Sequence, residues 1–401
     1  MTKNYFKATF LTVIGLGVFA VSCSDDDNGN GNSAEEVTKK AVVENYANIV
    51  AANYKKAYDD AVVLKTALSQ FTATPTQLNF DNAKTKWLAS RESYGTTEAF
   101  RFANGPIDDE NGPEGLINAW PLDENYIDYV KDGESILNGG IINSVSEFPT
   151  ITKSLLEELN EEGGEKNIST GYHAIEFLLW GQDLTAPSEK KPGLRPYTDF
   201  VIGAGATAQN QARRAQYLNV CADLLVDNLA YLVDQWKVGG AYRNVFLALP
   251  VDEAIRNMYL GIATLAQAEL AVERMDVALG NADQEDEHSC FSDNTHRDIA
   301  TNLQGIINVY QGKYGSIDGP SLEELVKKAD VNAFNDTNAS VVASQTKVAA
   351  ILTPFDLAIS GGLESAEGAK VRVAVIELKT LGANLISGAS KIGVLVNVVE
   401  E

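Results

Sequence analysis

Apolar residues at helical spacing are the feature that most constrains how this chain can fold. Between residues 218 and 236 an apolar side chain recurs every three or four positions, which is the pattern of one buried face of an α-helix. This stripe consists of Leu218, Cys221, Leu225, Leu229, Leu232 and Trp236. No alternation of apolar and polar residues with a period of two runs long enough to require a sheet. The sequence therefore predicts an all-α protein.

Similar patterns predict helices along most of the chain. In the first half the predicted ranges are 34–68, 75–102, 148–162 and 171–181. In the second half they are 206–236, 252–279, 295–310, 321–329, 340–352 and 364–387. Passages rich in glycine and proline at 104–115 and 186–196 interrupt the first half, and the second passage marks a domain boundary. We expect two helical-bundle domains packed side by side, residues 34–193 and 194–401.

The first 33 residues have the pattern of an export signal followed by a tether. Lys3 and Lys7 flank an apolar run at 8–21, and small residues lead into Cys23. This order predicts a lipoprotein signal peptide at 1–22 with Cys23 as the lipid-bearing residue, although an ordinary small-residue cleavage site is the alternative. The Asp-, Asn- and Gly-rich residues 23–33 predict a disordered tether. The expected location is the cell envelope, as an outer-membrane lipoprotein facing the periplasm or the cell surface.

The charge of the chain limits its partners. A formal net charge of −23 argues against nucleic acid or anionic lipid as a partner and suits a surface that attracts cations. Contact with the membrane is therefore expected through the lipid anchor. Cys221 and Cys290 could pair in an oxidising compartment, but the place of Cys221 on an apolar helical stripe equally favours a buried free thiol.

His173 and Glu176 are the strongest candidates for metal ligands. The chain has three histidines, and this one lies three residues before a glutamate in a predicted short helix, capped by Ser169 or Thr170 and ending at Gly181. Side chains three apart project from one helix face, so both can reach a common point. The positive end of the helix also favours the neutral imidazole that a metal needs. The alternative is a pair that simply hydrogen-bond each other.

Two predicted helices carry charges on core-facing stripes. In the first, the residues at the spacing of a single stripe are Trp87, Arg91, Tyr94, Glu98 and Arg101. In the second, an apolar face continues in register into Glu269, Val272 and Asp276, with Glu273 alongside. Buried charges are unfavourable unless they are paired or bind an ion. A structural Arg–Glu network and a functional site both fit, and they are compatible because metal ligands are usually held by a surrounding shell.

The remaining histidines lie in the segment 283–298, together with Cys290 and several carboxylates. Thr295 and Asp298 have the spacing of a capping box, which predicts the start of the next helix. His288 and His296 match no zinc-motif spacing, so a capped loop is the default interpretation. Asp293 and His296 could nevertheless close one side of a site.

Several of these segments together resemble the imelysin family. Gly171, His173 and Glu176 match its Gly-x-His-x-x-Glu motif, and further matching segments are 87–94, 98–102, 105–108, 119–122, 194–200 and 287–296. The resemblance implies two helical-bundle domains, a site between them at the three motif residues, and a role in bacterial iron acquisition at the envelope. Other iron-uptake proteins of the envelope are the partners it implies. The family has also been classed with the metallopeptidases because of a reported insulin-cleaving activity.

We therefore expect an envelope lipoprotein that binds a metal ion or a metal-bearing ligand, with iron as the first candidate and zinc or another divalent ion as alternatives. His173 and Glu176 would be ligands, and Glu98 or Glu269 could supply a third. The supporting residues would be Gly171, Trp87, Arg91, Tyr94, Arg101, Glu273, Asp293 and His296. The rival hypotheses are a metallopeptidase and a non-catalytic helical adaptor. The peptidase is disfavoured because Phe177 stands where a His-x-x-Glu-His motif needs its last ligand.

Overall fold

The computed structural model describes residues 32–398 and the side chains of residues 38–398. Helices make up most of this part of the chain, which confirms the predicted all-α class. The predicted signal peptide 1–22, Cys23 and nearly all of the predicted tether lie outside the described residues. Within them, no helix is both long enough and apolar enough to cross a membrane.

Short elements alternate with long helices in the first half of the fold. The α-helices are α1 (Asn32–Ala73), α2 (Gln77–Gly95), α3 (Glu114–Ile117), α4 (Glu124–Ile127), α5 (Gly140–Asn143), α6 (Lys153–Leu159) and α7 (Gly171–Trp180). A 3₁₀ turn at Thr96–Phe100 continues α2, and two more lie at Pro187–Glu189 and Tyr197–Phe200. The antiparallel hairpin β1 (Val130–Asp132) and β2 (Ser135–Leu137) pairs Lys131 with Ile136.

Long helices dominate the second half. They are α8 (Gln211–Trp236), α9 (Ala241–Ala248), α10 (Val251–Thr264), α11 (Val277–Asn281), α12 (Thr295–Gln311), α13 (Leu322–Ala329), α14 (Val331–Ala349), α15 (Phe355–Ile359) and α16 (Ala366–Lys391). A π-helix at Leu265–Asp276 joins α10 to α11, and a 3₁₀ turn lies at Gln284–Asp286. The second hairpin, β3 (Lys313–Tyr314) with β4 (Ile317–Asp318), follows α12.

The helices pack in two groups that share one hydrophobic core. In one group α1 lies along α2 and α8, and α7 packs on α8; in the other the π-helix, α10 and α14 pack on α16. Helix α12 contacts both groups, and buried apolar side chains run continuously between them. Helix α8 follows residue 193 in the chain but packs mainly on helices that precede it. The division into domains at residues 193 and 194 stays a prediction.

The π-helix is the main departure from the predicted helices. Its hydrogen bonds join residues five apart and widen each turn, so a buried face recurs at intervals of four and five rather than three and four. Leu265, Leu270 and Met275 are buried at that spacing. The predicted continuation of the α-helical stripe is therefore wrong here, because Glu273 is exposed and Asp276 is half-buried.

Both described cysteines, Cys221 and Cys290, are buried free thiols. Of the two alternatives for them, the disulfide is wrong. Cys221 lies on the apolar face of α8, where its Sγ is 3.6 Å from the carbonyl oxygen of Ser169. Burial raises the pKa of the Cys221 thiol, so it remains protonated at neutral pH.

Candidate metal centre

Helix α7 places His173 and Glu176 in the interior of the fold. All 10 residues of this helix are buried. Gly171 opens it with a φ of 86°, and a Cβ at this position would lie 2.5 Å from the carbonyl oxygen of Ile117. Glycine is required for such a close approach in the left-handed region. Thr170 precedes the helix without making a side-chain cap hydrogen bond, so the predicted cap is wrong.

Nδ1 of His173 and Oε2 of Glu176 share a hydrogen bond of 2.9 Å. The other carboxyl oxygen of Glu176 accepts from the backbone N–H of Ser292 at 3.0 Å and from its hydroxyl at 2.6 Å. Burial raises the pKa of Glu176 to about 8 against the opposing effect of these hydrogen bonds. Both carboxyl oxygens of Glu176 are therefore engaged, one by the imidazole and one by the loop before α12.

The same loop brings a second histidine against the first. The ring centroids of His173 and His288 are 4.6 Å apart, with their planes at 76°. Nδ1 of His288 lies 2.9 Å from Oδ2 of Asp298, on the first turn of α12. Burial lowers the pKa of His173 well below its ordinary value, and His288 lowers it further. Burial and the charge of Arg274 likewise lower the pKa of His288 to about 4, so both rings are neutral near pH 7.

These contacts leave the Nε2 atoms as the available metal-binding atoms. Nδ1 of each ring faces a carboxyl group, which is the arrangement that orients metal-ligating histidines. Nε2 of His173 is buried and has no hydrogen-bond partner. Neutral imidazoles with an open nitrogen suit a transition-metal ion such as iron or zinc. Among the described side chains, no group of three or more His, Cys, Asp and Glu residues is arranged to hold a metal ion.

Asp298 also joins the pair to the core-facing stripe of α2. Its Oδ1 accepts from Nη2 of Arg91 at 3.0 Å and from Nε at 3.3 Å, and both side chains are almost fully buried. Burial opposes ionisation of Asp298, but Arg91 and the hydrogen bonds from His288 and Ser289 hold the pKa of its carboxyl well below the usual range. Asp298 is therefore an anion that accepts the Nδ1 proton of His288.

The two predicted third ligands, Glu98 and Glu269, are bound by guanidinium groups. Nη2 of Arg274 lies 2.6 Å from Oε2 of Glu98 and 3.0 Å from Oε1 of Glu269. Nη1 of Arg101 lies 3.1 Å from the same oxygen of Glu269. Arg274 can reach Glu269 because the π-helix aligns residues five apart, so the predicted α-helical register missed it. The charged side chains of the two core-facing stripes thus form a structural Arg–Glu network, which was one of the two interpretations of these stripes, the other being a functional site.

The aromatic residues of the α2 stripe support α7. Nε1 of Trp87 donates to the carbonyl oxygen of Tyr172 at 3.0 Å. The Tyr94 and Tyr172 rings lie 5.0 Å apart, and the Arg91 guanidinium lies 5.0 Å from the centroid of the Tyr172 ring. These contacts fix the position of Tyr172, which directly precedes His173 in α7.

Three other predicted residues lie away from the imidazole pair. Nδ1 of His296 is 3.0 Å from the carbonyl oxygen of Asp293, and His296 lines a separate cavity with Leu303 and Ile307. Burial and nearby Asp356 raise the pKa of Asp293 to about 7. Glu273 is exposed. The residue that sequence analysis missed is His288, because its partner His173 is distant in the chain and no motif spacing connects them.

A small polar cavity of about 120 Å³ borders His288. It lies between the α3 region and the π-helix. Its lining is Arg101, Glu114, Asn118, Ala119, Trp120, Glu161, Glu269, Arg274 and His288. Within the imidazole pair this cavity contacts His288, which it separates from the guanidinium–carboxylate network.

These features define a helical protein built around a buried pair of imidazoles, each oriented by a carboxyl group. The sequence model for the family described as Imelysin, peptidase family M75, matches residues 50–385. The chain therefore belongs to the imelysin family, which confirms the resemblance carried by its motifs.

Two solved structures share the fold over nearly the whole chain. One is a candidate iron-regulated protein A precursor from Parabacteroides distasonis, with 18% identity, a TM-score of 0.66, and 89% of this chain and 95% of that chain covered. The other is an imelysin-like protein from Psychrobacter arcticum, with 13% identity, a TM-score of 0.65, and 90% and 98% covered. At these identities the likeness establishes the fold. Comparison with curated proteins gives no match.

Proposed function

We propose that this protein binds an iron ion at the His173–His288 pair and serves iron acquisition at the bacterial cell envelope. The observation that carries the proposal is the pair itself, two neutral imidazoles with ring centroids 4.6 Å apart and Nδ1 of each against a carboxyl group. Nε2 of His173 and Nε2 of His288 would hold the ion. The bound ion would supply Lewis acidity and a redox centre.

In this proposal Glu176 is an orienting residue rather than a ligand, because both of its oxygens already have partners. For Nε2 of His173 to bind a metal it must carry no proton, so the ring proton would lie on Nδ1. Glu176, whose raised pKa of about 8 favours its protonated form near pH 7, would have to lose its own proton when the metal binds in order to accept that hydrogen bond. Asp298 fixes the same tautomer in His288. Carboxylates that orient ligating histidines typically contribute about 10- to 100-fold to metal affinity.

The preference for iron rests on two supports of different kinds. Imidazole is a good ligand for iron, although zinc and copper bind the same groups more tightly, so selection depends on which metal is available. One structural neighbour is itself described as a candidate iron-regulated protein. Zinc is the alternative ion for this pair.

Envelope location is proposed from the segment that precedes the fold. Cys23 would be lipidated after removal of residues 1–22, and residues 23–33 would tether the fold to the outer membrane, facing either the periplasm or the cell surface. Other iron-uptake proteins of the envelope would be its partners. The negative charge of the chain favours cations and disfavours nucleic acid.

A peptidase is the second candidate, since the family description names one. Burial of the site argues against it, because the side chains of His173 and His288 are each at most 2% exposed. A polypeptide substrate needs an open groove at the metal, whereas the cavity beside His288 holds about 120 Å³. We therefore expect the metal-loaded protein not to hydrolyse a protein substrate such as insulin.

Calorimetric titration with ferrous iron under anaerobic conditions, and separately with zinc, tests the proposal. Wild-type protein should bind one ion, and His173→Ala and His288→Ala should each lose most of the affinity. His296→Ala is the matched control, because it removes the third histidine away from the pair and should bind as the wild type does. Equal binding in all four proteins would refute the site. Absence of binding in the folded wild type would favour the adaptor hypothesis.

A further inference from the structure

The polar cavity beside His288 contains hydrogen-bond donors that no protein group uses. Nε of Arg274 is buried and has no hydrogen-bond partner, although Nη2 of this guanidinium is bound to two carboxylates and Nη1 donates to Oδ1 of Asn302. Nε of Arg101 also has no hydrogen-bond partner, with Oδ2 of Asp108 3.8 Å away. The same lining contains one unpartnered buried oxygen, Oε1 of Glu114, which lies 3.4 Å from Nη1 of Arg101. A buried N–H without a partner loses about 1–3 kcal/mol of hydration, so two of them at one cavity point to a ligand that accepts hydrogen bonds.

The cavity is partly open and has room for only a few atoms of a ligand. A volume of about 120 Å³ corresponds to roughly four water molecules at the volume they occupy in the liquid. A planar oxyanion of the carboxylate or carbonate type has four heavy atoms. Its geometry also suits guanidinium groups, which donate parallel hydrogen bonds to such anions.

The charges around the cavity explain when an anion would bind. Arg101 and Arg274 are paired with Glu98 and Glu269, and Arg101 also lies 3.4 Å from Glu114, so the buried part of this network is neutral only when Glu114 is protonated. Burial raises the pKa of Glu114 to about 7, so a large fraction of this carboxyl is protonated at neutral pH. A metal cation at the adjacent imidazole pair would add positive charge to a buried, neutral surrounding. An anion in the cavity would compensate that charge, whereas an anion alone would add an unbalanced negative charge beside Glu98, Glu114 and Glu269.

We propose that the cavity is a binding site for a small carboxylate or carbonate anion, held by Arg101 and Arg274, which binds together with the metal ion at His288. The inference rests on the proposed metal function and deepens it by naming a second ligand. The anion could be free bicarbonate or the carboxylate of an organic metal carrier. By thermodynamic linkage each ligand raises the affinity for the other by the same factor, which for typical couplings is about 5- to 150-fold.

The test is the affinity of the whole protein for ferrous iron, measured against a metal-buffering chelator in carbon-dioxide-free buffer with chloride, bicarbonate or acetate at equal pH and ionic strength. We expect at least about a fivefold gain in affinity when bicarbonate or acetate replaces chloride. A larger gain with bicarbonate assigns the cavity to carbonate, and a larger gain with acetate assigns it to an organic carboxylate.

Three variants make the result specific to the cavity. Arg101→Lys keeps the charge but removes the Nε–H, and Ala119→Leu fills the cavity without replacing a charged group. Both should lose most of the anion-dependent gain, measured for each variant against its own affinity in chloride. Arg297→Lys, on an exposed arginine paired with Glu92, should keep the full gain. Equal wild-type affinity in the three salts would overturn the inference and leave the metal site standing, since water alone would then fill the cavity. A gain that survives both cavity variants would also overturn it. Failure of the wild type to bind iron in any salt would instead overturn the proposed function.

Discussion

Replacement of Asp298 by asparagine tests the network that positions His288. Asp298 is almost fully buried and accepts hydrogen bonds from Arg91, His288 and Ser289. Asn has nearly the same shape but no charge, so Asp298→Asn leaves the buried guanidinium of Arg91 without its ion-pair partner. Loss of one member of a buried ion pair typically destabilises a protein by about 3–5 kcal/mol. We expect a loss of this size in the free energy of unfolding at pH 7, measured by urea unfolding followed by tryptophan fluorescence.

The pH dependence of that loss follows from the lowered pKa of Asp298. A carboxyl whose pKa is depressed on folding stabilises the protein above its unfolded pKa, which is about 3.9 for aspartate, and the stabilisation is lost as the pH falls below that value. The difference between wild type and Asp298→Asn should therefore be constant from about pH 5 to pH 8. Below about pH 4 the difference should shrink by up to about 1.4 kcal/mol for each pH unit. Unfolding of the wild type then takes up one proton at the Asp298 carboxylate, whereas the variant has no carboxylate at this position.

The chain offers a matched control on the same two helices. Glu92 directly follows Arg91 in the chain, and Arg297 directly precedes Asp298. Glu92 and Arg297 form an exposed ion pair of 2.7 Å, with each side chain about 45% accessible. Exposed pairs contribute about 0–1 kcal/mol, so Glu92→Gln should change stability little at any pH. A loss below about 1 kcal/mol in Asp298→Asn at pH 7, or the same loss at pH 3 as at pH 7, would refute the reasoning.

Three further predictions concern other parts of the chain. Gly171→Ala should lower the free energy of unfolding by about 2 kcal/mol or more, because it combines a left-handed backbone with a clash; an unchanged thermal midpoint would contradict this. Asp128→Asn should cost about 3–5 kcal/mol in urea unfolding, since Arg195 and Arg214 both pair with this buried carboxylate; a loss no larger than that of Glu92→Gln would contradict it. Cys23→Ser should abolish metabolic labelling with a fatty-acid analogue, and persistent labelling would refute the lipid anchor.

Helical periodicity predicted the long helices because their apolar faces repeat over many turns. The stripe from Leu218 to Trp236 lies within α8, and its apolar residues are buried as expected. Short elements such as α9 and the two hairpins were missed, because a few residues give too little repetition to recognise. The start of α14 was also missed: Asp330 caps it by accepting from the backbone N–H groups of Asn332 and Ala333, and a capping aspartate is difficult to recognise without a periodic stripe behind it.

The candidate site was only partly predictable for two physical reasons. The shared face of His173 and Glu176 follows from helix geometry, so their contact could be foreseen from spacing. The meeting of His173 with His288 depends on tertiary packing, which no local pattern encodes. The role of Arg274 depends on the π-helix, because an α-helical register places Glu273 nearer the core-facing stripe. A register error of this kind changes which charge faces the core without changing the predicted helix.

Tertiary assembly of the imidazole pair also gives a test that separates the proposed site from non-specific cation binding. A chain with a net charge of −23 attracts cations over its whole surface, in the unfolded state as well as the folded one. Binding of equal strength to both states leaves the folding equilibrium unchanged. The His173–His288 pair exists only in the folded chain, so an ion bound there must raise folding stability by RT ln(1 + [L]/Kd), about 2.7 kcal/mol when the free ion is at 100 times Kd. Ferrous iron should therefore raise the thermal midpoint of the wild type and of His296→Ala, but not that of His288→Ala. An equal rise in all three proteins would place the bound ion elsewhere.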